Sequence, residues 1–395
     1  MSVGYTKKYD VVVAGAGVAG VAAALAAARR GHRVALVEKQ TLIGGLATSG
    51  LIFIYLPLCD GKGTQVTFGI SEELLKLSLK YSPFDLPPAW GGPGDGTHVC
   101  PGERYQTCFS PAGFTIAMDE ALRAADVDLW LDTMVCATNA ASDGKVTSLV
   151  VENSSGRGRI EAKCFVDATG DATLVRRAGG AFATEANYRT PWVMEASPNT
   201  ELYPIADSFH IQVLGSWTPE FEVRNAENSK VATQFTRDVW QMCREFYDNN
   251  YRAGSSDRHR NFPVHLPAMP QFRKVARIMG VETLSANQHA TCFESSIGLY
   301  ADWRKPGFVW ETPYGTLLPR DVRGVLAAGR CISTDGDAWE VYRVIPSAAM
   351  TGEAAGIGAA LAGERGCDPL ELSAEDLRRE LRNNHFKFHL AEVGL

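Results

Sequence analysis

Three glycines and a carboxylate carry the first recognisable chemistry in this 395-residue chain. Gly15-Ala16-Gly17-Val18-Ala19-Gly20 follows the apolar run Val11 to Ala14, and Glu38 ends a second apolar run eighteen residues after Gly20. A strand, a turn, a helix and a strand ending in a carboxylate is the order of a dinucleotide-binding βαβ unit. Gly15 permits a tight turn, Gly17 lets a pyrophosphate approach bare backbone, and Gly20 lets the helix pack close to the sheet. The helix N terminus then faces the phosphates. Glu38 can accept from both hydroxyls of an adenosine ribose and would repel a 2′-phosphate, which favours FAD or NAD over NADP. Val18, Ala19 and Lys39 flank these residues and join them as candidate contacts.

The elements that position this set are short. Ala22 to Arg30 is a strong helix former, and Gly31 stands where a left-handed C-terminal residue is expected. The rest of the composition is that of a soluble globular protein, with 45% hydrophobic and 21% charged residues, and the length suits two domains. A formal net charge of −6 gives no basic field to attract nucleic acid or anionic lipid. The nine cysteines are scattered, with no close-set pair of a zinc ribbon or redox CxxC, so no metal site is expected and a reduced cytoplasmic setting fits best. No signal peptide or membrane span is read.

Further small-residue segments recur along the chain. Gly44-Gly45-Leu46-Ala47-Thr48 follows Glu38, a glycine-rich continuation that a nicotinamide domain does not require. A helix over Phe114 to Ala125 leads into a strand over Val127 to Val135, and Asp143-Gly144 reads as a hairpin turn within a three-stranded meander. That meander delivers Ala168-Thr169-Gly170-Asp171, where a strand stops in bare backbone and Asp171 can cap the next helix. Near the C-terminal end stand Thr312-Pro313-Tyr314-Gly315, Ala328-Gly329-Arg330, Arg343-Val344-Ile345-Pro346 and the small-residue helix Ala348 to Gly356, which includes Met350. Its N-terminal amides could crowd against a planar anion.

In order and spacing these segments resemble the FAD-dependent oxidoreductase family of the glutathione-reductase-type FAD-binding fold, related to the succinate dehydrogenase and fumarate reductase flavoproteins. The resemblance implies an α/β fold: a Rossmann-like, three-layer ββα FAD-binding domain interrupted by a smaller mixed α+β substrate domain. The expected boundaries are 1–55, 105–180 and 309–365 for the FAD domain, 56–104 and 181–308 for the cap, and 366–395 for a C-terminal helix and tail. It also implies FAD contacts at Gly44 to Thr48, at Val135 near the adenine, at Ala168 to Asp171, and at Gly329, Arg330, Arg343, Pro346 and Met350. A histidine and a serine often found before the arginine are Gly336 and Val341 here, which puts a proton relay by those groups in doubt.

The implied activity is hydride transfer from a small organic substrate to flavin N5, with an unknown electron acceptor. Arg343 is the first choice for a polar group near the ring. Tyr342 and Trp339 are either pocket wall or plain core, and His210 and His98 rank first among isolated histidines because they sit in the insertions. The proline- and glycine-rich loop around a helix at Ser71 to Leu79 is either ordinary loop or substrate lid. Arg273 and Arg277 either bind an anionic substrate or are simply solvated. A flavin monooxygenase using NAD(P)H and O2 is the rival enzyme, and a non-catalytic flavin-binding protein the rival outside enzymes. The expected partner is a small-molecule substrate, with no nucleic acid and no membrane, and self-association into a homo-oligomer is left open.

Overall fold

The computed structural model describes residues 3–92, 104–197, 208–215 and 218–395. These fall into two compact units, one of residues 1–45, 53–183 and 276–395, the other of residues 46–52 and 184–275. The larger unit is organised on a five-stranded parallel sheet ordered Val325–Ala327, Cys164–Asp167, Val11–Ala14, Val34–Val37 and Asp128–Trp130. Val11–Ala14 and Val34–Val37 are apolar at every position and buried, as strands of a parallel sheet covered on both faces must be.

Helix α1 (Val18–Ala28) leaves the glycine turn and is buried along nearly its whole length. Helices α2 (Ile70–Leu79) and α3 (Pro111–Ala124) follow. Asp128–Trp130 then joins the parallel sheet, whereas Met134–Ala140 opens a second sheet. The expected single strand over 127–135 is therefore two, parted at Asp132, whose φ is 49°. Thr133 resumes by donating to the Glu38 carbonyl at 2.9 Å. The second sheet contains the expected antiparallel meander and one further strand, Tyr5–Lys8, paired parallel with Gly156–Glu161.

After Cys164–Asp167 comes a one-turn helix, α4 (Thr173–Arg177). Asp171 does not cap it. Thr169 Oγ1 accepts from the Thr173 amide at 2.9 Å and Asp167 Oδ2 from the Val175 amide at 2.9 Å, while Asp171 takes the Thr173 hydroxyl.

The smaller unit has an antiparallel sheet ordered Ser208–Val213, Trp192–Ser197 and Phe262–His265. Helix α5 (Ser229–Arg252), capped by Asn228, buries Phe235, Val239, Cys243 and Tyr247 in a core with Val193, Leu214, Phe272 and Val275. That is the three-four spacing of its apolar residues turned to one face.

The chain then returns to the larger unit through Arg277–Ile278, the hairpin Ser296–Ala301 and Val309–Pro313, and helices α6 (Gly336–Tyr342) and α7 (Ile345–Arg365). A Cβ on Gly352 would overlap the Ala19 carbonyl oxygen, and one on Gly356 that of Ala23. These glycines thus serve the close approach of α7 to α1. The described part of 56–104, assigned to the insertion by its composition, packs with the larger unit instead: Tyr55 donates to the Ser71 carbonyl at 2.5 Å and Ser71 to that of Pro346 at 3.0 Å.

Helix α8 (Ala374–Leu381) precedes a tail that is firmly docked. Phe386, Phe388 and Leu390 are buried, Ser296 donates to the Phe388 carbonyl at 2.6 Å, and the Leu390 amide donates to Glu311 at 3.0 Å. Among the described residues no single helix is long and apolar enough to cross a membrane. The pair α6 and α7 reaches that length only with an 85° bend.

Candidate cofactor and active site

The turn after Val11–Ala14 separates packing glycines from a glycine with no packing role. Gly15, at φ 94°, sits so close to the Ala168 carbonyl that a Cβ would lie 2.6 Å from its oxygen, and a Cβ on Gly20 would overlap the Gly15 carbonyl. A Cβ on Gly17 would meet nothing within 4 Å. Nothing in the protein therefore demands glycine at position 17, whereas a ligand laid against its backbone would. This bare cradle is what a dinucleotide pyrophosphate needs, so the residues fit FAD.

Four separated segments converge on the cradle within the larger unit. The Gly44 amide donates to the Ala16 carbonyl at 2.7 Å, and a Cβ on Gly45 would lie 3.2 Å from the Gly17 Cα. Gly15 abuts Ala168 and Thr169. Gly329, at φ 71°, sits against Ala19 and Ala348, which brings the first turn of α7 alongside α1. Arg330 Nε donates to the Gly170 carbonyl at 2.6 Å.

Glu38 is buried and already half committed. Its Oε2 accepts from the Ala16 amide at 2.7 Å and its Oε1 from the Gln40 amide at 3.0 Å. A carboxylate offers about four lone-pair directions, so two remain for ribose hydroxyls. The bond from Thr133 to the Glu38 carbonyl fixes the approach to Val135 beside this end of the cradle.

At the Ala168–Asp171 turn, burial pushes the Asp171 carboxyl up, yet Lys39, the Thr173 and Thr169 hydroxyls and Arg330 together hold it below its ordinary value. Burial lowers the Arg330 guanidinium against the opposing pull of Asp171. Asp167, absent from the sequence-based set, shapes the turn: it accepts from Thr169 N, Thr169 Oγ1 and Val175 N, and burial pushes it up to about 6. A carboxylate ending a buried apolar strand was the available signal.

Leu46, Ala47 and Thr48 group with the smaller unit, where Leu46 accepts from the Ile52 amide at 2.9 Å. Pro346 lies in the first turn of α7, which no side chain caps. Met350, one turn on, is buried, and a Cβ on Gly298 would lie 2.9 Å from its sulfur; this side chain fills core.

Arg343 ends α6, and its guanidinium pairs with Glu340. Tyr342 is enclosed, sharing a 2.8 Å hydrogen bond with Thr312 and meeting the Tyr300 ring edge-on, and burial pushes its hydroxyl well up. Trp339 is fully buried and donates to the Arg330 carbonyl at 2.7 Å. His210 lies on the Ser208–Val213 strand of the smaller unit, opposite Glu195 in register. His98 falls outside the described residues. Arg273 and Arg277 are buried, not solvated. Arg273 donates to the Gln271 carbonyl at 2.7 Å and lies over Trp192, and Arg277 lies 3.8 Å from Asp335. Among the described residues, no cluster of three His, Cys, Asp or Glu side chains could hold a metal, and all eight cysteines are free.

A sequence model of the FAD dependent oxidoreductase family matches residues 10–271 and 280–381. The chain belongs to this family. The oxidoreductase therefore binds FAD, as its cradle requires. It is 38% identical over 71 residues to a thioredoxin reductase of Ureaplasma parvum serovar 3, a match spanning 18% of this chain and only 23% of that relative. Among solved structures it is similar to p-nitrophenol 4-monooxygenase of Pseudomonas putida DLL-E4, at 12% identity and TM-score 0.48, covering 98% of this chain and 91% of that one. It is also similar to a geranylgeranyl bacteriochlorophyll reductase-like protein of Thermoplasma acidophilum, at 15% identity and TM-score 0.45, covering 96% and 84%.

Proposed function

We propose that this FAD-dependent oxidoreductase dehydrogenates a small organic substrate by hydride transfer and passes the electrons to a separate acceptor. When bound, FAD supplies the hydride-accepting N5. The observation that carries the reading is the start of α7, a 21-residue helix with no side-chain cap and with Ala348 against Gly329 at the cradle. Its free amides and dipole favour negative charge placed before them, which is the charge a reduced cofactor carries. Ser347 leaves those amides open, because its hydroxyl turns back to the Tyr342 carbonyl at 2.9 Å. Arg343, one turn earlier, adds a fixed cation for orienting a polar substrate, balanced by Glu340.

The test is anaerobic mixing of the FAD-loaded protein with panels of alcohols, amines and sugars, following the flavin absorbance. Bleaching by a member of the panel, and none by NADPH alone, is the expected result. Rapid bleaching by NADPH without substrate would replace this reading with a monooxygenase. Reoxidation of the reduced protein by unsaturated acids, with no reduction by any panel member, would reverse the direction of electron flow.

A further inference from the structure

A cleft of about 690 Å³ opens in the larger unit at the edge of the parallel sheet remote from the cofactor turn. Asp10, Arg33 and Lys163 line it, and each stands immediately before one of the strands Val11–Ala14, Val34–Val37 and Cys164–Asp167. Gly15, Glu38 and Ala168 follow those same strands at their other ends. Four strand residues span roughly 13 Å, so the cleft and the cradle are separate sites.

The second sheet forms the other wall. Lys8 stands opposite Glu161, Glu161 opposite Ser148, and Ser148 opposite Asn139, so one row of polar residues crosses all four strands on one face. Arg159, two residues from Glu161 and opposite Val150, belongs to that face. Ser148 is its diagonal neighbour, at roughly 7–8 Å.

The lining holds four cations, Lys8, Arg33, Arg159 and Lys163, against two carboxylates, Asp10 and Glu161. Lys163 pairs with Asp10 at 2.7 Å and Lys8 with Glu161 at 3.2 Å. Among the described residues no carboxylate pairs with Arg33 or Arg159. However the side chains re-pair, two positive charges are left over, in a chain whose formal net charge is −6. Asp128, behind Tyr9 of the lining, accepts the Tyr9 hydroxyl. Two donors in the wall also lack an acceptor. Arg159 Nε is closed off from water and has no hydrogen-bond partner. The buried Ser148 hydroxyl accepts from Asn139 Nδ2 at 2.8 Å, which leaves its own proton to give.

We propose that this cleft binds a small phosphorylated metabolite, held by its phosphate on Arg33 and Arg159. A phosphate monoester carries about −1.5 to −2 charge at neutral pH and three acceptor oxygens, which matches the surplus charge and supplies the acceptors that Arg159 and Ser148 need. Guanidinium groups fit phosphate oxygens in a fork geometry. The volume lies within the roughly 300–1,000 Å³ of small-molecule pockets, enough for an organic group beyond the phosphate.

The experiment is calorimetric titration of the FAD-loaded full chain with ribose 5-phosphate at constant ionic strength, against ribose and succinate. Ribose 5-phosphate is expected to bind, ribose not at all, and succinate at least about tenfold more weakly. Arg159→Met and Arg33→Gln are each expected to weaken ribose 5-phosphate about tenfold or more. Arg33 is exposed, so Arg33→Gln keeps the test decisive even where Arg159→Met fails to fold. Lysine acetylation followed by mass spectrometry locates the site: Lys163 and Lys76 are comparably exposed, at 59% and 60%, and both pair with a carboxylate. Ribose 5-phosphate is expected to protect Lys163 and leave Lys76 unprotected. Binding no stronger than that of ribose, parent-like affinity in Arg33→Gln, or equal protection of the two lysines would refute the site. Succinate binding as tightly would overturn the assignment to phosphate.

Discussion

Arg343 and Glu340, one helical turn apart at the end of α6, are joined by Nε to Oε2 at 2.7 Å and Nη2 to the same oxygen at 2.6 Å. Only 9% of the arginine side chain is exposed, so the carboxylate both orients and balances it. Glu340→Gln is expected to cost about 1.5–3 kcal/mol of stability, the usual range for a hydrogen bond to a charged group. Arg343→Met is expected to slow anaerobic flavin reduction by about tenfold or more, roughly 1.4 kcal/mol or more of barrier. Unchanged reduction would remove Arg343 from the site.

Gly352 and Ala19 set the spacing of α7 against α1. Because a methyl group at position 352 meets backbone and not a yielding side chain, Gly352→Ala is expected to destabilise by at least the ~1–3 kcal/mol typical of overpacking. Urea unfolding of the apoprotein measures it. A parent-like midpoint would show that the two helices can part at little cost.

Glu353, buried on α7, accepts from the Ile70 amide at 2.6 Å and from the Asn384 side chain, joining α2 and the tail to one carboxyl. Burial pushes it up to about 7 from its ordinary 4.5. The folded chain thus binds more protons than the unfolded one between those values, and stability from this group falls as pH rises through that window. Glu353→Gln is expected to flatten the slope of unfolding free energy between about pH 5 and about pH 7. A slope equal to the parent's would assign the dependence elsewhere.

Deleting residues 385–395 removes three buried side chains, Phe386, Phe388 and Leu390. At roughly 1.5–3 kcal/mol each, the loss is about 5 kcal/mol or more, enough to unfold many domains. Soluble expression and cooperative melting of the truncated chain would contradict the docked tail.

What could be read before folding was local. The Gly15–Gly20 turn and the Ala168–Asp171 stop were legible because each lies within a few residues of the strand that defines it. The break at Asp132 was not, since a non-glycine residue takes the left-handed conformation there. Asp171 looked like the cap because it is adjacent in sequence, whereas Asp167 and Thr169 reach the amides across the turn. The docking of the tail was not legible because its partners Glu311 and Ser296 stand 79 and 92 residues upstream, in no visible pattern.

The central claim is that the turn after the first parallel strand is open for a cofactor and not for packing, and FAD titration of two alanine variants tests it. Gly17→Ala is expected to leave apoprotein stability within about 1 kcal/mol of the parent. Its FAD affinity is expected to fall at least about tenfold, roughly 1.4 kcal/mol. Gly20→Ala, whose methyl would strike the Gly15 carbonyl, is expected to destabilise the apoprotein itself. Parent-like FAD affinity in Gly17→Ala would contradict the claim.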